Sequence, residues 1–285
     1  MNLKGIDVSY HNGAIDWKRV KNSGVEFVII RAGYGKKTMD KKFTENIVGA
    51  LTAGIHVGIY WFIYAKDTEE AVLNALACHS IISGYKDSID MGVWADWEYD
   101  SDKRNPQTKS TRTEIVKTFC ETLKERGWNV GVYANQDYLN TKFGDLKRYP
   151  LWLAKYSASK GNYDPDIWQH TSKGTVSGIN GNVDMNIMYR EISQGKEDGV
   201  FKNPYPEPQR LLYKKLVLMR GDDVKWLQTE LIRHDCLSAV NKKGKSNVDG
   251  ILGKYTSDAI IAFQTRAGIG ADGICGKVTK EHLKK

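Results

Sequence analysis

Along residues 1–192 the hydrophobic positions switch repeatedly between a period of two and a period near 3.6. Strand-like runs rich in Val, Ile, Tyr and Trp fall at residues 5–11, 26–32, 56–64, 91–99, 129–135, 151–156, 167–171 and 183–188. Helical spacing separates the early ones, at residues 15–22, 43–53, 68–82, 111–126 and 136–143. The fourth helix is the plainest. Ile115, Phe119, Thr122 and Leu123 share a face, and Gly127 stands where a C′ glycine ends a helix. Five strand–helix units followed by three strands with short connections predict a parallel sheet with right-handed crossovers. Eight strands in that order predict closure. About 250 residues is typical of a full eight-fold barrel, so the expected fold is α/β, a flattened, irregular β/α barrel without its last helices.

After residue 192 the pattern changes. Ser193 to Gly199 is polar, and Pro204, Pro206 and Pro208 alternate behind it, which suits an extended, semi-rigid linker over 193–208. Residues 209–285 then read as a small three-helix domain. One helix is expected over Asp222–His234, with Val224, Leu227 and Leu231 on one face. A second is expected over Thr256–Ala267, with Ala259, Ile260 and Phe263, and a short third after Thr279. An internal repeat marks this domain: Asp249-Gly250-Ile251-Leu252-Gly253-Lys254-Tyr255-Thr256 recurs as Asp272-Gly273-Ile274-Cys275-Gly276-Lys277-Val278-Thr279. Asp-Gly makes a turn, and each Thr is placed to cap the helix that follows.

Composition is that of an ordinary globular chain, with 41% apolar and 27% charged residues. Charge is uneven. Residues 209–285 carry 15 basic against 8 acidic residues, net +7 of the chain's +8. Such a face suits an anionic cell wall, or no partner at all; no nucleic-acid motif accompanies it. No apolar run reaches membrane-spanning length, so no membrane span is expected. The segment Met1–Gly5 has no signal-peptide core, which points to delivery by another route. Cys78, Cys120, Cys236 and Cys275 are far apart with no C-x-x-C pair, which favours buried free thiols over disulfides. The histidines form no zinc pattern, so no metal and no cofactor are expected.

Candidate chemistry lies in Val93-Trp94-Ala95-Asp96-Trp97-Glu98-Tyr99-Asp100. On a strand, Asp96 and Glu98 point to one side with attachment points roughly 6.5 Å apart. Two ionised carboxylates at that range repel, so one holds its proton, and a protonated carboxyl can protonate a leaving oxygen, as glycoside hydrolysis requires. A solvated acidic strand end, continued by Asp100 and Asp102, is the bland alternative. Against it, Asp7 lies in the first strand and Asp184 in the last, neighbours in a closed barrel whose mouth carries the active site. Tyr60, Trp61, Phe62, Tyr64, Tyr133, Trp152, Tyr156 and Trp168 cluster at strand ends, where flat rings suit either the core or the face of a sugar, and Gln169 could bind an amide or hydroxyl.

With these pieces in order, residues 1–192 resemble glycoside hydrolase family 25, the lysozymes with an irregular β/α barrel. The resemblance is carried by Gly5-Ile6-Asp7-Val8-Ser9, Ile30-Arg31-Ala32-Gly33-Tyr34-Gly35 and Gly58-Ile59-Tyr60-Trp61-Phe62, then Asp96-Trp97-Glu98, Val132-Tyr133-Ala134-Asn135, Leu151-Trp152-Leu153-Ala154-Lys155-Tyr156, Ile167-Trp168-Gln169 and Val183-Asp184-Met185-Asn186. It implies hydrolysis of the β-1,4 bond from N-acetylmuramic acid to N-acetylglucosamine in peptidoglycan. Glu98 matches the family's acid/base residue, and Asp7, Asp96 and Asp184 match its other active-site carboxylates. Tyr60, Phe62, Tyr133, Trp152, Tyr156 and Gln169 are the expected substrate-binding residues. Trp61 and His170 depart from the family pattern.

Residues 209–285 resemble the three-helix peptidoglycan-binding domain often attached to wall hydrolases. Its G-x-x-V-x-x-L-Q element reads Gly221-Asp222-Asp223-Val224-Lys225-Trp226-Leu227-Gln228. The resemblances imply a modular muramidase acting on the wall after release from the cytoplasm as a phage or prophage endolysin, with an autolysin as the alternative; the chain pattern leaves the oligomeric state open, a monomer being favoured. A wall-binding protein without activity is the rival that the retained acids oppose. A peptidase or amidase is opposed by the lack of a zinc or Cys–His signature. Attack by Asp96 and attack by the sugar's own acetamido group both remain open, the second favoured.

Overall fold

The computed structural model describes residues 2–190, 203, 205–234, 236–237 and 247–284. Most of the expected linker, 193–202 and Pro204, therefore lies outside the described residues. The chain divides into two units, Met1–Gly199 and Val200–Lys285.

In the first unit, strands β1 (Leu3–Val8), β2 (Phe27–Tyr34), β4 (His56–Phe62), β5 (Ile89–Asp96), β6 (Val130–Asn135), β7 (Leu151–Ala154), β8 (Ile167–Gly174) and β9 (Val183–Met188) form the sheet. A short β3 (Thr38–Met39) folds back on β2. The sheet runs β1-β9-β8-β7-β6-β5-β4-β2 and closes through a β1–β2 pairing, so eight strands make the expected barrel. One strand departs from the expected parallel order: β9 is antiparallel to both β8 and β1. Only residues 175–182 join β8 to β9, and a parallel return needs a crossover of about a dozen residues or more. The short link turns back instead, through Gly178 (φ 102°) and Gly181 (φ 84°).

Helices α1 (Trp17–Asn22), α2 (Phe43–Thr52), α3 (Thr68–Ile82) and α5 (Lys109–Lys124) stand at the expected places. Thr108 caps α5 by accepting from the Thr111 amide at 3.1 Å, and Gly127 takes φ 71° just beyond its end. The helix expected over 136–143 shortens to a π-type turn, Tyr138–Lys142, closed by Phe143 N donating to Tyr138 O at 2.8 Å. One helix was not expected, α4 (Tyr99–Arg104), which begins where β5 was expected to continue.

Alternation along the strands makes two cores. Val28, Ile30, Val57, Ile59, Val93 and Val132 point outward, against residues such as Phe43, Ala75 and Phe119 of the helices. Phe27, Ile29, Trp94, Tyr133, Trp152 and Ile167 point inward and fill the barrel. Glycines admit the large rings. A Cβ on Gly131 would stand 2.3 Å from the Trp94 ring, and one on Gly5 would stand 2.4 Å from Phe27. No helix among the described residues is long and apolar enough to cross a membrane. None of the four cysteines is in a disulfide; three are buried and Cys236 is half-buried.

The second unit holds α6 (Asp222–Arg233), α7 (Lys254–Arg266) and α8 (Lys277–Leu283) around Val224, Leu227, Leu231, Leu252, Ile260, Phe263 and Leu283. The repeated threonines do not cap the helices as expected. The caps are Gly253 and Gly276, and Thr256 and Thr279 lie three residues inside. Their hydroxyls serve a paired clamp instead. Gln228 Nε2 donates to Asp249 Oδ1 (2.8 Å), Ile251 O (3.1 Å) and Thr256 Oγ1 (3.2 Å), while its Oε1 accepts from the Gly250 amide (2.9 Å). Gln264 repeats this on Asp272 Oδ1 (2.8 Å), Ile274 O (3.1 Å), Thr279 Oγ1 (3.1 Å) and the Gly273 amide (2.9 Å). Each buried glutamine thus locks one copy of the D-G-I-x-G-K-x-T turn.

Removing such an amide strands several buried partners, which costs about 1–3 kcal/mol. Gln264→Ala is therefore expected to lose amide-exchange protection across residues 220–283 and to leave the barrel's protection unchanged. Hydrogen-exchange mass spectrometry on the full chain checks this; unchanged protection around Gly273 would show that the clamp contributes nothing.

Candidate active site

β1 and β9 meet with Asp7 directly opposite Asp184. Asp7 lies near the C-terminal end of its strand and Asp184 near the start of its own, so only the antiparallel run of β9 brings both to one mouth. β5 delivers Asp96 as its last residue, in register with Phe62 of β4 and Tyr133 of β6. The strand was expected to reach Tyr99, but it ends at Asp96, and Glu98 is the extended cap residue of α4 (φ −129°, ψ −173°). Because residue 98 keeps an extended backbone, its carboxyl still turns to the same mouth as Asp96.

The turn is anchored from below. Asp102 Oδ1 accepts from Trp97 Nε1 (3.2 Å) and Arg112 Nε (2.9 Å), and Asp102 Oδ2 accepts from the Tyr138 hydroxyl (2.6 Å). Trp97 is buried, and the Glu98 amide donates to Ser101 Oγ at 3.3 Å. Asp102 is therefore a structural anchor, where the bland reading made it part of a solvated acidic end.

A cavity of about 180 Å³ opens at this mouth, lined by Asp7, Tyr60, Asp96, Glu98, Tyr133, Trp152, Tyr156, Gln169 and Asp184. Nine of the ten expected catalytic and substrate-binding residues meet there. Phe62 does not: its ring packs on Tyr64 at 5.0 Å between centroids, and Tyr64 lies under the Arg104 guanidinium at 4.6 Å. Trp152 is the floor, with Tyr133, Trp94 and Tyr60 set around it at 4.7, 5.9 and 6.1 Å in edge-to-face arrangements.

Neutral amides hold the deepest acid. Asp7 Oδ2 accepts from Gln169 Nε2 and Asn186 Nδ2, both at 2.8 Å. Asn186 Oδ1 accepts from Trp152 Nε1 (2.8 Å), and Gln169 Oε1 accepts from the Tyr133 and Tyr156 hydroxyls (3.1 and 3.0 Å). Asn186 was not picked out from the chain pattern, although it sits two residues from Asp184 on the same face of β9.

The electrostatics follow from burial and crowding. Burial, then Asp184, pushes Asp7 up to about 8 against the two amide donors. Burial raises Asp184 to about 6. Asp96 is raised well above the carboxylate range by burial, Glu98 and Asp7, with Arg31 opposing. Glu98 is raised by burial, and by Asp100 and Asp184, with the Tyr133 hydroxyl opposing. Several of these groups thus hold protons near neutral pH, as a set. Such a site can give a proton to a leaving oxygen and keep a carboxylate beside it. Among the described residues no group of three or more His, Cys, Asp or Glu is arranged to hold a metal ion.

The profile of "Glycosyl hydrolases family 25" matches residues 6–179, and that of "Putative peptidoglycan binding domain" matches residues 220–283. An autolytic lysozyme of Clostridium acetobutylicum is 31% identical over 278 residues, covering 94% of this chain and 74% of that one. Among solved structures, the modular autolysin LytC of Streptococcus pneumoniae, in complex with a synthetic peptidoglycan ligand, is 32% identical with a TM-score of 0.59; the match covers 66% of this chain and 47% of that one. The CTP1L endolysin is 26% identical with a TM-score of 0.57, over 66% of each chain.

The raised Asp7 carries a stability consequence. Its folded state binds the proton more tightly than the unfolded chain, so that contribution is full below about 3.8 and is lost as pH rises through about 8. Asp7→Asn keeps a neutral side chain at every pH. It is expected to raise the barrel's Tm by about 5 °C at pH 9 and to change it little at pH 4. Thermal unfolding at the two pH values measures the difference; an equal shift at both would remove buried charge as its cause.

Proposed function

The chain belongs to glycosyl hydrolase family 25, and from that premise we propose how its residues act. It is a peptidoglycan hydrolase of the lysozyme type, cutting the β-1,4 bond between N-acetylmuramic acid and N-acetylglucosamine. The observation that carries the residue assignment is the convergence of Asp7, Asp96, Glu98 and Asp184, with carboxyls raised, over an aromatic floor in one cavity.

In this reading Glu98, held protonated, gives its proton to the glycosidic oxygen as the C1–O bond breaks. The acetamido carbonyl oxygen of the same sugar attacks C1, and Asp96 accepts from the acetamido N–H as positive charge develops. Asp96 Oδ1 is buried and has no hydrogen-bond partner among the described residues, which leaves its acceptor capacity unused. Glu98, now ionised, takes a proton from water as the water oxygen attacks C1 and reopens the ring. Configuration is retained and no protein–sugar bond forms. Asp7 and Asp184 shape the charge around the pair. Trp152, Tyr60, Tyr133 and Tyr156 offer faces and hydroxyls to the sugar, and Gln169 holds the tyrosines in place.

Residues 1–192 form the catalytic domain in this reading, 193–208 the linker and 209–285 the wall anchor. The anchor's +7 is supported as a contribution by charge complementarity with an anionic wall. Each of the two delivery routes has a relative behind it: release as an endolysin is supported by the likeness to CTP1L, and the autolysin route by the likeness to the Clostridium acetobutylicum lysozyme and LytC. Expression with and without a pore-forming protein separates them: lysis without the pore would favour the autolysin route.

Glu98→Gln is expected to abolish wall lysis by roughly 10²–10⁴-fold without unfolding. Turbidity of purified walls and release of reducing ends check this, and near-normal lysis by the folded variant would overturn the assignment. Asp96→Asn is expected to be severely impaired; a glycosyl adduct on Asp96 of the active enzyme, seen by mass spectrometry, would replace the acetamido route with a covalent one. Residues 209–285 are expected to sediment with purified peptidoglycan at low salt and to weaken, without vanishing, as salt rises. No sedimentation at low salt would end the anchoring claim.

A further inference from the structure

Ahead of α6 the small unit carries a loop whose two feet are fixed and whose tip is bare. One foot, Leu212, bridges Cys275 in the second copy of the repeat: its amide donates to Cys275 O at 3.2 Å and its carbonyl accepts from the Cys275 amide at 2.8 Å. At the other foot Arg220 bridges Ile251 in the first copy, and the Leu252 amide donates to Met219 O at 2.9 Å. Leu212 and Met219 are buried, and the Tyr213 amide donates to Met219 Sδ at 3.5 Å across the neck. The feet thus stand on the two turns that Gln228 and Gln264 clamp. Between them Leu216 and Val217 are 105% and 84% exposed, and Leu218 is exposed beside them. From Pro208 to Gly221 there is no acidic residue and there are four basic ones, Arg210, Lys214, Lys215 and Arg220. Arg210 is paired with Asp223 at 2.6 Å, while Lys214 and Lys215 are exposed and directly precede the aliphatic tip.

We propose that this loop, residues 213–219, docks the chain on the surface of an anionic lipid bilayer, with Leu216 and Val217 entering the acyl boundary and Lys214 and Lys215 meeting the headgroup phosphates. The proposal goes beyond the muramidase reading and does not depend on it. Single apolar residues on a surface are ordinary, but three successive aliphatic side chains at the tip of an anchored loop are not. Their exposure is offset only by an apolar phase. A peptidoglycan wall is a hydrated mesh of sugars and peptides; it satisfies the lysines and leaves the tip in water. A second copy of this chain would cover the tip but would set Lys214 and Lys215 against their own images, where like charges repel. An anionic bilayer answers both features, since lysine stems lie along the boundary while their ammonium groups stay at the phosphates. The loop is too short to span, so the attachment is peripheral. It needs the apolar tip and the basic pair together, because one weak signal alone gives only marginal binding.

The test is co-sedimentation of the full chain with vesicles of phosphatidylcholine alone or mixed with phosphatidylglycerol. Vesicles hold no peptidoglycan, so the result is independent of wall cutting. The unaltered chain is expected to bind the mixed vesicles and to bind the neutral ones far less. Leu216→Ser combined with Val217→Ser should weaken binding to the mixed vesicles by about tenfold. Lys214→Gln and Lys215→Gln should each weaken it by about fivefold and make it less sensitive to salt. These side chains are exposed, so the variants are expected to keep the fold, which the Tm of each checks. Entry of the tip is read separately with Val217→Trp, whose emission is expected to shift to the blue on mixed vesicles. No binding of the unaltered chain to mixed vesicles would overturn the proposal. So would binding that the serine variant leaves intact, since the unit's general charge would then be its cause. A concentration-dependent dimer in sedimentation velocity, abolished by the serine variant, would assign the tip to a second copy instead. Loss of sedimentation with purified peptidoglycan in that variant, with vesicle binding unchanged, would assign it to the wall.

Discussion

Carboxyl groups brought close together in a buried space cannot all carry charge, and the mouth of this barrel holds four of them. Asp7 and Asp96 are only 7% and 4% exposed, in an interior where an isolated ion is expensive. The structure offsets that cost in three ways. Burial lifts the whole set, mutual repulsion adds to it, and protons are retained. Neutral amides donate to the deepest acid. One cation, Arg31, paired with Asp40, opposes the rise of Asp96. Each of these also suits the chemistry, because retained protons are what a general acid needs.

The barrel's irregularity and its site have one cause. A barrel closed by a parallel last strand would carry Asp184 at the end opposite Asp7, since the residue opens its strand. The short 175–182 link forces β9 to run backwards, and the reversal places the two acids opposite each other. It also sets Asn186 and Gln169 side by side in the β8–β9 register, from which both reach Asp7. The aromatic floor completes the arrangement. Trp152 fills the interior below the acids and orients Asn186 through its indole nitrogen, so packing and hydrogen bonding act on the same carboxyl.

Alternation made most of this legible in the chain. Asp7, Asp96 and the inward aromatics follow from a period of two, and eight strand-like runs were enough to expect closure. Glu98 was placed at the mouth correctly but on a strand; a cap in extended conformation gives the same side-chain direction, so the pattern could not tell the two apart. Phe62 was placed on the inner face, yet periodicity does not say where a ring turns once a neighbour such as Tyr64 is available. Asp102 looked like surface charge because its partners, Trp97, Arg112 and Tyr138, lie 5 to 36 residues away in the chain. Thr256 and Thr279 were misread as caps because a threonine near a helix start usually is one.

The two units, unrelated in architecture, settle their buried polar groups with the same device. In the barrel Gln169 and Asn186 each receive a hydrogen bond on oxygen and pass one from nitrogen to Asp7. In the small unit Gln228 and Gln264 receive from a glycine amide and give to an Asp, a carbonyl and a Thr. An amide can donate and accept at once without the desolvation cost of an ion. A lysine in place of Gln169 would neutralise Asp7 and lower it, draining the proton reservoir that the crowded acids share. A leucine in place of Gln264 would fill the space and leave the Asp-Gly turn unheld. The choice of amide at all four positions thus follows from needing direction without charge, whether the object held is a reactive carboxyl or the bend of a loop.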